Sequence, residues 1–322
     1  VLDWGNTLRL PDLGPFSAGA MNFGVTHIGE QAESASGSAF FRTTVNASQN
    51  TTAGWASVQT RAFDRLDLTA GLRHDAVTGI EGATTWRLGA VLALPEISSR
   101  VRAAAGTGFA APSLFQRFGV IPGFFVGNPD LKPERSFAWE VGAETDIAAF
   151  GRANFATAGW TFFQSRVRDL INFAPAFDTL VNIDRANIHG AELILAVRPA
   201  TWLEGTVAWT ITEAFNAETG LRLPRRPESV VSLTARIVPL PRVVIAPTLL
   251  FTGRSPEGPF ASYDNNGVAY TYQRTNKAGT VFNLAASWQV FDPITLFLEA
   301  RNLTNQPFEP ANGFVVPGRS VL

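Results

Sequence analysis

The sequence predicts an all-β chain, a transmembrane antiparallel β-barrel, from three observations. The first is hydrophobic alternation of period two, which sends successive side chains to opposite faces of a strand. The second is length: the alternating stretches run for about ten residues, enough to cross a hydrocarbon layer, where soluble strands average about five or six. The third is the connections, which alternate between tight turns at 63–64, 199–201, 239–242 and 291–293 and long loops at 111–134, 173–185, 216–227 and 255–277. Short turns at one rim and long loops at the other are the asymmetry of barrels that span a membrane.

Fifteen segments read as strands, starting near residues 1, 18, 51, 64, 84, 99, 135, 153, 186, 202, 228, 242, 278, 294 and 316. Over 65–75, Arg65, Asp67, Thr69, Gly71, Arg73 and Asp75 alternate with Leu66, Leu68, Ala70, Leu72 and His74. Over 203–211, Leu203, Gly205, Val207, Trp209 and Ile211 oppose Glu204, Thr206, Ala208 and Thr210. The segment 243–251 alternates well but contains Pro247, which has no amide hydrogen for the ladder and predicts a bulge or a local break. Over 282–290, Phe282, Leu284, Ala286, Trp288 and Val290 form the apolar face, and over 294–301 Ile294, Leu296, Leu298 and Ala300 do. Trp202, Trp288 and Phe291 fall near strand ends, where an interfacial aromatic girdle belongs. No segment has a convincing 3.6-residue period, so no helix is expected. No linker interrupts the pattern, and residues 1–322 read as one partial barrel domain.

Composition agrees. Hydrophobic residues make up 46% of the 322, yet mean hydropathy is only +0.08, so apolar residues are evenly diluted by polar ones. Charged residues are 16%, below the level of about a quarter usual in soluble domains. No run of 18 apolar residues occurs, so no transmembrane helix is expected. A net charge of −1 leaves no nucleic-acid footprint, and the lack of cysteine excludes a disulfide framework or a thiolate metal site. Residues 1–10 lack the basic and apolar regions of a signal peptide, so an exported protein is expected to begin upstream.

Chemistry-bearing motifs are sparse. Gly106-x-Gly108-x-x-Ala111 mimics a dinucleotide fingerprint, but Pro112 and the Gly- and Phe-rich sequence after it oppose the helix that motif requires. His27, His74 and His189 are scattered and share no metal-ligand spacing with a carboxylate. Neither a Gly-x-Ser-x-Gly elbow nor His-Glu-x-x-His occurs, so no catalytic residue, metal site or cofactor is assigned. The binding candidates lie in loops. All three tyrosines, Tyr263, Tyr270 and Tyr272, fall in 255–277 beside Asp264, Asn265, Asn266, Arg274 and Lys277. Tyrosine joins a rigid apolar face to a polar tip and suits ligand capture; the alternative is an interfacial belt or ordinary loop polarity. A second candidate loop carries Phe115, Arg117, Phe118, Phe124 and Phe125, whose rings need either a ligand or packing against neighbouring loops. Asn128, Pro129, Leu131, Lys132, Pro133 and Glu134 read as structural: the prolines fix the backbone, Asp130 suits a turn, and Lys132 and Glu134 are placed to pair.

Several segments, in order along the chain, resemble TonB-dependent outer-membrane receptors. Residues 106–113, Gly-Thr-Gly-Phe-Ala-Ala-Pro-Ser, resemble that family's strand end before a large extracellular loop, and 127–136 resemble its Asn-Pro-x-Leu-Lys-Pro-Glu signature. Arg168-Asp169-Leu170-Ile171 and Gly190-Ala191-Glu192 resemble later hairpin motifs, and Arg301-Asn302-Leu303-Thr304-Asn305 resembles the family's Asn-Leu-x-Asn/Asp step before the final strand. The resemblance implies a barrel of about 22 strands with a plugged lumen, of which this chain holds about fifteen, without the plug domain and the segment that contacts TonB. It implies uptake of an external scarce nutrient, a small molecule or metal chelate, energised by the TonB complex acting on the plug, with outer-membrane lipid around the barrel. Arg65, Asp67, Arg73, Glu204, Glu299 and Arg301 would then line the lumen. The segment 112–119 points toward the siderophore or vitamin B12 branch. Two other readings compete: a passive, porin-like barrel and a soluble all-β binding or carbohydrate-active protein.

Overall fold

The computed structural model describes residues 1–37, 42–174, 178–311 and 313–322. Its strands are β1 (Leu2–Arg9), β2 (Phe16–Gly37), β3 (Arg42–Ala62), β4 (Leu66–Val77), β5 (Ala83–Leu94), β6 (Ser99–Ala110), β7 (Val120–Ile121), β8 (Phe125–Val126), β9 (Glu134–Ala149), β10 (Arg152–Phe173), β11 (Leu180–Ala200), β12 (Leu203–Asn216), β13 (Ser229–Ile237), β14 (Val243–Thr252), β15 (Ser255–Tyr263), β16 (Ala269–Asn276), β17 (Gly279–Phe291), β18 (Ile294–Arg301) and β19 (Ser320–Val321). Fifteen of them form one sheet in which every strand lies beside its neighbour in sequence; β7–β8 and β15–β16 are separate hairpins. All pairings in the sheet are antiparallel, the up-and-down order of a barrel wall.

The alternation seen in the sequence becomes two chemically distinct faces. One face carries Trp4, Leu72, Leu88, Val101, Trp160, Leu193, Leu195, Val207, Leu233, Trp288 and Leu296, all largely exposed. The other carries the ion pairs: Arg61 with Asp67 at 2.7 Å, Arg73 with Asp75 at 2.8 Å, Arg100 with Glu144, and Arg198 with Glu204 at 3.2 Å. A soluble sheet hides its apolar face in a core. Here bulky apolar side chains stay uncovered across the whole sheet, which is stable only where hydrocarbon replaces water. The polar face is the one a barrel turns toward its lumen.

At one rim the connections are tight. Phe63 and Asp64 both adopt left-handed backbone (φ 53° and 59°), the pair of positive φ values of a two-residue turn whose twist matches the strands it joins. Arg65 belongs to this turn and pairs with Glu96 at 2.6 Å across to the next one, a rim position and not the lumen wall. Pro247 breaks the ladder locally, without a bulge. It faces Leu284 of β17 in register, while on the β13 side pairing lapses between Thr234–Thr248 and Ile237–Ile245.

The structure departs from the sequence reading at the opposite rim. β3 begins at Arg42, not near 51, and β11 at Leu180, not near 186. These extensions rise past the apolar band, where alternation fades: β3 gains mostly polar residues, whereas β11 gains Leu180, Val181 and Ile183, of which Leu180 packs into the core of the neighbouring loop. Residues 255–277 form the hairpin β15–β16 in place of an irregular loop. A short helix, α1 (Leu114–Phe118), stands where none was expected. Its signal was Ser113-x-x-Gln116, a capping box in which Ser113 Oγ accepts from the Gln116 amide and Gln116 Oε1 from the Ser113 amide. At five residues it is too short for periodicity to reveal.

Candidate ligand-binding rim

The long connections gather at the rim opposite the tight turns, and two units there hold the residues singled out from sequence. The first is 111–133. Phe125 is 3% exposed, stacks on Phe115 at 5.2 Å and meets Phe173 edge-on at 6.0 Å. With Leu131 and Leu180, and Ile171 packed against them, it forms a small core belonging to the loop itself. Arg117 is 8% exposed; its guanidinium donates to Gln49 Oε1 at 3.2 Å and to the Gly79 carbonyl at 3.0 Å, and lies 4.7 Å from the Phe118 ring centre. Its Nε is buried without a partner. Arg117 therefore anchors the loop to β3 and to the β4–β5 turn. Phe124, 69% exposed, and Phe115, with half its surface open, present apolar area outward.

The run 128–134 is held by hydrogen bonds within its turn and to the neighbouring strands. Asn128 Oδ1 accepts from the Asp130 amide at 3.0 Å and its Nδ2 donates to the Leu180 carbonyl at 3.0 Å. It is thus Asn128, and not Asp130, whose side chain closes the turn. Pro133 is buried, Pro129 exposed. Among the described residues no ion pair joins Lys132 to Glu134. Glu134 Oε1 instead accepts from the Ile171 amide at 2.7 Å, and the Lys132 backbone is clamped by Asn182 at 2.9 Å on both its N–H and its C=O.

The second unit is β15–β16. Tyr272 lies 5.6 Å from Phe260 and 6.0 Å from Tyr270, and the Arg274 guanidinium sits over Phe260 (5.6 Å) and Tyr272 (5.7 Å). Arg274 is exposed, and among the described residues no carboxylate lies within ion-pair distance of it. Tyr263 is 73% exposed near the hairpin tip, where Asp264 Oδ1 accepts from the amides of Asn266 and Val268. The base of the hairpin is fixed by a residue the sequence reading passed over. Glu257, 3% exposed, accepts from Arg225 Nε at 2.8 Å and Asn276 Nδ2 at 3.0 Å, tying together the connection 217–228, both hairpin strands and, through the Pro310 carbonyl, the connection 302–319. The only hint in sequence was a lone acid between Pro256 and Gly258, too weak a signal to single out.

Among the described residues, no contact joins the two units' candidate residues; each forms its own exposed aromatic surface on the same rim. Among the described residues no group of histidine and carboxylate side chains could hold a metal ion.

Sheet order, two-faced strands and rim asymmetry define the class: the wall of a transmembrane β-barrel. The family follows from comparison. The family model "TonB dependent receptor-like, beta-barrel" matches residues 2–303, and the chain belongs to that family. Among solved structures it is similar to a mutant of the ferric enterobactin receptor PfeA from Pseudomonas aeruginosa in complex with enterobactin (18% identity, TM-score 0.80, covering 99% of this chain and 52% of that one). It is also similar to the siderophore receptor PirA from Acinetobacter baumannii (14%, 0.77, 99% and 53%) and to the copper transporter OprC (15%, 0.76, 99% and 54%). At these identities the likeness is one of fold, and the chain spans about half the length of each.

Proposed function

We propose that this chain is the wall and outer rim of an energised importer that captures a scarce external nutrient, with the TonB complex driving release through a plug domain. Membership of the receptor family supports this, as do the names of the similar structures, which include receptors for ferric siderophores and a copper transporter. The observation that carries the reading is the cluster Phe260, Tyr270, Tyr272 and Arg274 on the rim hairpin. Flat aromatic faces next to a guanidinium that has no carboxylate partner among the described residues, and that reaches only the Tyr272 hydroxyl at 3.4 Å, favour an anionic ligand that presents flat aromatic rings, as a ferric chelate with aromatic donor groups does. Phe115 and Phe124 add apolar contact from the second unit. The vitamin B12 branch draws support only from the segment 112–119, where Pro112 is buried and Arg117 is engaged with Gln49 and the Gly79 carbonyl.

The test is equilibrium binding of ferric catecholate and hydroxamate chelates to the full-length protein in detergent, followed by quenching of tryptophan fluorescence. Tyr272→Ala with Arg274→Gln is expected to weaken the bound chelate by about tenfold to a hundredfold, the range for losing a stacked aromatic and a charge-assisted contact. Unchanged affinity in that double variant would remove the hairpin from the binding site.

A further inference from the structure

We propose that the outward face of β9, β10 and β11 carries, just below the long connections, a site for the phosphate group of a lipid in the adjoining membrane leaflet. The strand register places the groups. Arg168 of β10 lies directly opposite Arg135 of β9 on one side and Arg185 of β11 on the other, so three guanidinium-bearing residues share one row across adjacent strands. Two residues further down the same face of β10, Arg166 stands opposite Phe137 and Asn187. Like charges directly opposite one another destabilise a strand pair. Little here offsets that repulsion. Arg135 pairs with the exposed Glu81 at 3.1 Å, and among the described residues no carboxylate lies within ion-pair distance of Arg166, Arg168 or Arg185, all three exposed. An anion from outside the chain would neutralise the row.

What lies beneath the row indicates which anion. Down the same face run Phe137, Trp139 and Val141 on β9, Gln164, Phe162 and Trp160 on β10, and His189, Ala191, Leu193 and Leu195 on β11. Trp139 donates from Nε1 to Gln164 Oε1 at 3.2 Å while its ring lies 5.5 Å from Phe162, an indole with its polar edge satisfied and its body on apolar surface, as at a membrane interface. The arginines thus stand at head-group height, above the indole and the acyl-chain surface. A free anion would use only the arginines. An amphiphile uses both layers, its phosphate in the guanidinium forks and its chains along Phe162, Trp160 and Leu193. Neighbouring strands lie about 4.8 Å apart, so the row spans roughly 10 Å, wide enough for several phosphate oxygens to be bound at once. The inference rests on the barrel and its faces, not on the proposed uptake.

The experiment titrates the full-length protein in neutral detergent with dioleoyl phosphatidic acid, and separately with dioleoylglycerol, which has the same chains and no phosphate. Native mass spectrometry reads the bound lipid, and inorganic phosphate serves as competitor. Phosphatidic acid is expected to bind about a hundredfold more tightly than dioleoylglycerol, from three arginines near an anionic group. The triple variant Arg166→Gln, Arg168→Gln, Arg185→Gln is expected to lose that preference, the corresponding triple lysine variant to keep part of it, and equimolar inorganic phosphate to displace nothing. Equal binding of the two lipids by the unaltered protein would overturn the proposal and leave the row to an acidic protein partner. An undiminished preference in a glutamine variant with native heat-modified gel mobility would overturn it too, and displacement by equimolar inorganic phosphate would reduce the site to a free-anion site.

Discussion

Replacing Arg117 by alanine tests whether one buried cation holds the 111–133 loop against the barrel. The substitution removes donors from Gln49 Oε1 and the Gly79 carbonyl, and Gln49 is only 3% exposed. Leaving the buried Gln49 acceptor unpaired costs about 1–3 kcal/mol, losing the guanidinium over the Phe118 ring adds about 1 kcal/mol, and the carbonyl of Gly79, an exposed residue, returns to water. Opposing this is relief of a guanidinium held away from water with an unpartnered Nε and, among the described residues, no carboxylate within ion-pair distance. The balance favours a net loss of about 2 kcal/mol in the docked state of the loop, a factor of about 30 in its open population. Hydrogen exchange reads that population locally. The amides of Gly119, Gly127 and Asn128 bond to the carbonyls of Phe115, Gly119 and Gln116, all within the loop. Their exchange is expected to accelerate about thirtyfold, while the amides of β10 and β11 keep their rates. Arg117→Met retains the side-chain stem against Phe118 and loses the same bonds, so it should behave like alanine. Wild-type exchange in both variants would refute the anchoring role.

Further predictions follow from other contacts. A Cβ on Gly279 would come within 2.2 Å of the Phe308 ring, which is 9% exposed; Gly279→Ala should expel that ring at a cost of about 1–3 kcal/mol, seen as faster exchange of the Val316 amide. Glu257→Gln should loosen β15–β16 from 217–228 by about 1–3 kcal/mol, as an ion pair becomes a neutral contact at a buried site, measured by protease nicking of 255–277. Val207→Arg, on the apolar face between Leu195 and Leu233, should cost about 2–4 kcal/mol of folding stability in lipid vesicles, and Thr206→Arg on the other face much less; equal costs would reverse the assignment of the faces. At the tight-turn rim, a hydrogen bond from its own backbone amide and then the Arg65 guanidinium hold the Glu96 carboxyl below its ordinary value of 4.5. A depressed carboxyl stabilises the folded turn above that value and loses its contribution as pH falls through the lower folded value. The protection of the Ser98 amide, taken relative to its intrinsic exchange rate at each pH, should fall below pH 4.5, and Arg65→Gln should move the onset to higher pH.

How much of this was legible in the sequence depended on where solvent changes. Through the membrane, lipid on one side and a polar lumen on the other force alternation, so segments such as 203–211 read correctly and the fifteen-stranded sheet was countable. Above the membrane that constraint ends. β3 gains residues 42–50, and 255–277 becomes a hairpin, through backbone pairing that leaves no hydrophobic period to read. The rim residues split along the same line. Tyr270, Tyr272 and Arg274 stood out by composition and do cluster, while Tyr263 stands exposed near the hairpin tip. For the 115–125 loop the sequence left ligand contact and packing equally open; Phe125 and Arg117 are packed, against Leu131 and Leu180 and against Gln49, and nothing local distinguishes them from the exposed Phe124. Glu257 was invisible because its partners Arg225 and Asn276 come from separate connections.

The most direct test of the account is accumulation of a radiolabelled ferric chelate by cells in which the full-length protein is the sole receptor, with and without a working TonB complex. The account predicts uptake that stops when TonB is removed, while the chelate still binds at the cell surface. Uptake continuing at the same rate without TonB would contradict it and leave a passive barrel.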